Sequence, residues 1–217
     1  MDKGAHFHKC DLQVHTPRDQ QWSGPEAVTE SERKNYAEEL ILACRQKGLG
    51  AIAITDHHDL AFFPYIKEAA QNELDDAGQP VPEAKRIVVY PGIELTLTSP
   101  TCRALLIVDA DFPENLFQSV LTTLAITPAP AGDSKTAQVQ RVPQNVVGDL
   151  KALYDKLESH QHLKGRFIVF PNVSDSGYDT LLRSGFANFY KTMPCCGGYA
   201  PTREAAMAAF AKSSRRE

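Results

Sequence analysis

The chain has 217 residues, 23 Lys+Arg against 27 Asp+Glu, and a formal net charge of −4. With 42% hydrophobic and 23% charged residues it can bury a core, which excludes wholesale disorder. Its length suits one domain spanning residues 1–217, and an acidic balance argues against a general nucleic-acid coat. No apolar run reaches the ~18–20 residues of a membrane helix. The opening Met1-Asp-Lys-Gly-Ala-His6 leads into no apolar stretch of the signal-peptide kind. Five cysteines, Cys10, Cys44, Cys102, Cys195 and Cys196, form no CxxC pair. Reduced thiols and a cytoplasmic location are therefore expected.

In chain order, Cys10–His15 reads as a strand and Glu30–Lys47 as a helix stopped by Gly48. The apolar run Ala51–Thr55 suits a buried parallel strand. Phe62–Ala77 reads as a helix closed by Gly78, and Ile87–Tyr90 as a strand running on towards Glu94. Arg103–Val108 reads as a strand and Glu114–Ala125 as a helix. The Pro-containing stretch 127–143 reads as a flexible surface loop, with a lid over a site as the alternative. A helix at Asn145–Glu158, a strand at Arg166–Phe170, and helices at Asp179–Tyr190 and Pro201–Ala211 complete the pattern. Such alternation points to an α/β fold with a parallel sheet or barrel.

Three of these strands deliver metal-type ligands as they finish. Asp11, Gln13 and His15 share one face of the first strand; the second runs into Asp56-His57-His58-Asp59; the third ends on Glu94. Strand ends of parallel α/β folds share one rim, where sites assemble. Singly, His15 reads more readily as a hydrogen-bonded rim residue than as a ligand, and Glu94 as well as an ion-pair partner. Jointly they suggest a carboxylate–imidazole cluster for Mn, Zn or Fe. Successive side chains diverge in an extended segment, so His57 is expected to face inward and His58 outward.

Asp11-Leu-Gln-Val-His-Thr16, Thr55-Asp-His57 and Gly92-Ile-Glu94 resemble, in order, the motifs of the PHP (polymerase and histidinol phosphatase) domain family. The resemblance implies a distorted, seven-stranded TIM-like β/α barrel of PHP type, with metals at the strand ends. It also implies hydrolysis of a phosphomonoester or phosphodiester, such as a nucleotide or nucleic acid. It casts His15, Asp19, Asp56, His57 and Glu94 as metal ligands, and His15, Asp56, His57 and Glu94 as the catalytic set. Arg18 and Arg183 are the candidate phosphate contacts, each with solvated surface charge as its alternative.

His15-Thr-Pro-Arg-Asp19, Trp22-Ser-Gly24, Phe170–Asp175 and Met193–Tyr199 further resemble the PHP module fused to AAA/SMC-like ATPases. That implies an ATPase partner in cis or in trans, a link to phage defence, and a chain forming one amino-terminal module. Gln13 and Phe170 replace family histidines, and the late Asp-x-His pair has no counterpart, leaving the barrel incomplete at its C-terminal end. One or two divalent metal ions are therefore expected rather than three. A non-catalytic docking or regulatory module is the rival reading, and a metal-dependent amidohydrolase the third.

Among other polar residues, His6 and His8 are candidates to replace the lost histidine, and Asp175 is a candidate extra ligand. His160 and His162 suit a helix end, and Cys195-Cys196 packed thiols.

Overall fold

A computed structural model describes residues 8–19, 21–75, 77–98, 101–127, 148–172, 198–200, 202 and 204. Its scaffold is a five-stranded mixed sheet in the order β1-β2-β3-β4-β5. The strands are β1 (Cys10–Val14), β2 (Ala51–Ile54), β3 (Val88–Thr98), β4 (Thr101–Val108) and β5 (Phe167–Pro171). Among the described residues the α-helices are α1 (Glu30–Gln46), α2 (Phe63–Gln71), α3 (Phe117–Thr123) and α4 (Leu150–Ser159), with 3₁₀ turns at Glu83–Lys85 and Glu114–Leu116.

The first three strands pair in parallel, whereas β3–β4 and β4–β5 pair antiparallel. This corrects the all-parallel expectation. Only Ser99 and Pro100 separate β3 from β4, and a parallel crossover needs about a dozen residues. The alternation Leu95-Thr-Leu-Thr98 already carried this signal, with a period of two. A complete barrel is not present among the described residues.

Each half of the sheet has its own apolar layer. Over the parallel half, Ile52, Ile54 and Val89 pack with Ile41 and Cys44 of α1 and Phe63 and Ile66 of α2. Over the antiparallel half, Ile93, Leu95, Leu97, Leu106 and Val169 pack with Val120 and Leu121 of α3 and Leu153 and Leu157 of α4.

Helix α1 starts as its sequence demands. Thr29 Oγ1 accepts the Glu32 N–H at 3.3 Å while Glu32 Oε2 accepts the Thr29 N–H at 2.9 Å, a reciprocal cap. Helix α2 is shorter than expected. Asp75 Oδ1 accepts the N–H groups of Ala77 and Gln79, so a turn with Gly78 at φ +71° replaces the last helical residues. Helix α4 begins at Leu150, where Asp149 caps it by accepting the Ala152 N–H at 2.7 Å; the expected start at Asn145 lies outside the described residues. The stretch 128–143, the helix Asp179–Tyr190, and Arg183, His6, Asp175, Cys195 and Cys196 lie outside the described residues. So does the helix Pro201–Ala211, apart from Thr202 and Glu204. Among the described residues no helix is long and apolar enough to cross a membrane.

Candidate metal centre

Glu94 does not end its strand. It lies inside β3, where parallel pairing to β2 gives way to antiparallel pairing with β4. Beyond β2 the chain still bridges to it: Glu94 N–H donates to the Asp56 carbonyl at 3.1 Å, and His57 pairs opposite Glu94. Gly92 permits this crowding. A Cβ there would stand 2.8 Å from both the Leu106 carbonyl oxygen and Thr55 Cγ2.

Four sequence-predicted residues meet at this point. His15 and His57 stack with ring centroids 5.1 Å apart and planes 13° from parallel. Asp19 Oδ2 receives Nδ1 of His15 at 3.0 Å and Nδ1 of His57 at 2.8 Å, and it also accepts the His57 N–H at 2.7 Å. With both Nδ1 atoms held by one carboxylate, both Nε2 atoms face Glu94. His15 Nε2 lies 3.1 Å from Oε2 and His57 Nε2 lies 3.7 Å from Oε1. His57 Nε2 is buried and has no hydrogen-bond partner. One potential ligand atom from each of His15, His57 and Glu94 lies within 4.8 Å of the others.

The other acids serve the frame. Asp56 is buried and accepts from Thr16 N and Thr16 Oγ1, each at 2.7 Å, tying the end of β1 to the end of β2. His15, Asp19 and Asp56 form a second group of potential ligand atoms. Within it Asp19 Oδ1 already accepts the Gln21 N–H at 2.7 Å, and both Asp56 oxygens are taken by Thr16. Arg18 is 7% exposed and its Nε donates to Asp59 Oδ2 at 2.7 Å. The guanidinium expected at phosphate is thus part of a buried ion pair.

Two details depart from the alternation argument. The register of β1 on β2 shifts between Asp11 and Val14, and Asp11 is exposed and accepts the Gln13 N–H at 3.2 Å. Gln13 stays, and its Nε2 donates to Glu94 Oε2 at 3.0 Å. His57 enters the cluster as expected, but His58 is buried rather than outward-facing. Its φ of +57° breaks the extended geometry on which divergence depends, and its Nδ1 is unpartnered.

Two contacts to Glu94 went unread in the sequence. Arg103 Nη1 donates to Glu94 Oε1 at 3.1 Å, and Tyr199 OH donates to the same oxygen at 3.3 Å. Arg103 lies opposite Thr96 and so shares a sheet face with Glu94. Phe170 sits in the same cross-strand row as Glu94, through Leu105. It brings an aromatic ring to a row where a histidine would offer nitrogen.

The electrostatics follow from burial and contact. Burial disfavours charge on His15, but its bonds to Asp19 and Glu94 outweigh that and raise its pKa to about 10. Burial also opposes charge on Glu94, yet His15, His57, Gln13 and Arg103 bring its pKa down to about 2. Asp19 is likewise desolvated, and hydrogen bonds from both imidazoles hold its carboxyl well below the usual range. Burial lifts Asp56 to about 7 against its two bonds from Thr16. Burial, with the neighbouring His57, pushes His58 down to about 4.

No protein-family model matches the chain, and no curated protein matches it. Among solved structures it is similar to a protein of Bifidobacterium adolescentis provisionally assigned as a metal-dependent phosphoesterase. That likeness has a TM-score of 0.50 at 15% identity and covers 96% of this chain and 84% of the other. It is also similar to an amidohydrolase from Chromobacterium violaceum solved with bound sulfate and no metal. There the TM-score is 0.44 at 15% identity, covering 96% and 83% of the two chains. At such identity the first likeness shows a shared fold, and the second adds no argument.

Proposed function

We propose that the chain is a metal-dependent phosphoesterase whose cation is held by His15, His57 and Glu94. The observation that carries this reading is the buried, unpartnered Nε2 of His57, facing a carboxylate oxygen beside a second imidazole. Leaving a buried polar atom unpaired costs about 1–3 kcal/mol, which a ligand would recover. Imidazole nitrogen and carboxylate oxygen are the donors that Zn, Mn and Fe accept. The residues present therefore fit a divalent ion.

Each residue has a defined task in this reading. Asp19 fixes both imidazoles through Nδ1 and presents their Nε2 atoms, the orienting role a carboxylate plays behind a ligating histidine. Asp56, secured by Thr16, joins the two ligand-bearing strand ends. Glu94, with its pKa held at about 2, stays ionised across the physiological range. A bound divalent ion would supply water of lowered pKa and offset the charge on a phosphoester. With Asp19 and Asp56 occupied in the frame and Phe170 in the row of Glu94, the set suits one ion better than two.

A second reading rests on Glu94 itself. Gln13 and His15 meet Oε2, and Arg103 and Tyr199 meet Oε1, so protein donors already satisfy the carboxylate. This favours a non-catalytic docking or regulatory module. Metal analysis of the purified chain, together with Mn²⁺-stimulated hydrolysis of a generic phosphodiester beside a Glu94→Ala variant, separates the two. Phosphoesterase function predicts bound metal and turnover in the wild type, both lost in the variant. A metal-free, inert wild type would favour the non-catalytic module.

A further inference from the structure

Of the two arginines expected at phosphate, Arg183 lies outside the described residues, and Arg18 is committed to Asp59 with its side chain 6% exposed. Another arginine is better placed. Arg103 enters on β4 opposite Thr96, and its carbonyl accepts the Asn172 N–H at 2.8 Å, which fixes its backbone between β3 and β5. Its guanidinium reaches the Glu94 oxygen that His57 Nε2 also faces. Unlike the buried imidazole of His57 it retains solvent access, with 21% of its side chain exposed. It is thus a fixed cation lying beside the candidate metal ligands and open to the outside.

We propose that Arg103 is the substrate-contacting residue of this site, its guanidinium binding a phosphoryl oxygen of the phosphoester. The inference rests on the metal-dependent reading given above. In the metal-free chain Glu94 balances the charge of Arg103. In a loaded site that carboxylate is shared with a divalent ion, and the guanidinium's charge becomes available to an anion. Arginine suits the task because its planar fork matches phosphate oxygens, where lysine offers a point charge. Arg103 thereby supplies part of the positive charge that a second cation would otherwise bring, consistent with a ligand set that suits one ion.

The test uses the full chain and calorimetry with inorganic phosphate, in the presence and absence of Mn²⁺. Arg103→Gln keeps a donor for Glu94 and removes the charge; Arg103→Lys keeps the charge and loses the fork. Thermal melts confirm that both variants fold. Charge-assisted hydrogen bonds imply that Arg103→Gln weakens phosphate binding to the Mn²⁺-loaded chain about tenfold or more. Arg103→Lys should recover part of that loss, and all three proteins should keep the same Mn²⁺ stoichiometry. Equal phosphate affinity in wild type and Arg103→Gln, or no phosphate binding to the loaded wild type, would overturn the inference. A wild type that takes up no Mn²⁺ would instead overturn the metal-dependent reading, and with it the sharing of Glu94 on which the role of Arg103 depends.

Discussion

The two halves of the sheet divide the work unequally. The parallel half (β1, β2 and the start of β3) supplies His15 and Asp19 from the loop after the partly exposed β1, and Asp56 and His57 from the loop after the buried β2. The antiparallel half (the rest of β3, β4 and β5) supplies Arg103, while Tyr199 enters by bridging to Asn172 just past β5. Glu94 belongs to both. Its backbone pairs with His57 on one side and Leu105 on the other, and its carboxylate receives groups from each half. Parallel pairing therefore collects the imidazoles, and antiparallel pairing adds a cation beside them.

The sharpest way to break this arrangement is at its seam. Gly92→Ala would place a methyl group 2.8 Å from the Leu106 carbonyl oxygen, a backbone atom that cannot step aside cheaply. Overpacking of this kind costs about 1–3 kcal/mol, sometimes more. Chemical denaturation should show that loss, and Mn²⁺ titration a weaker site, because β2, β3 and β4 must part to admit the methyl. Unchanged stability would mean that the halves are not locked together there.

A milder change sharpens the comparison by touching only the parallel half's scaffold. Thr29→Ala removes the reciprocal cap of α1, at a cost of about 0.5–2 kcal/mol. Thr29 hydrogen-bonds to Glu32 and Arg33 at the start of α1, so metal affinity should stay as in the wild type while the melting temperature falls. A parallel loss of metal binding would show that α1 positions the site more directly than its contacts indicate.

The parallel half was the legible one, for a physical reason. Its strands β1 and β2 are short, and the candidate ligands follow them within a few residues, so local pattern places His15 and His57 without knowledge of partners. Asp19 is similar, since it meets His15 across four residues. Arg103 and Tyr199 depend instead on strand register, and Tyr199 meets Glu94 across 105 residues of sequence. The alternation in Leu95–Thr98 would have revealed the β3–β4 pairing and brought Arg103 to the face of Glu94. No comparable local signal exists for Tyr199. His58 was misread because alternation assumes extended backbone, and a positive φ at a non-glycine residue is not written in the sequence.

The central claim is that His15, His57 and Glu94 form one cation site at the seam of the two halves. Anomalous diffraction from crystals soaked in Mn²⁺, with data collected near the manganese absorption edge, tests it most directly. The account predicts a single strong peak bonded to Nε2 of His15, Nε2 of His57 and a carboxylate oxygen of Glu94, with Asp19 still holding both Nδ1 atoms. A soaked crystal without a peak among these three side chains, or with its manganese bound elsewhere, would contradict it.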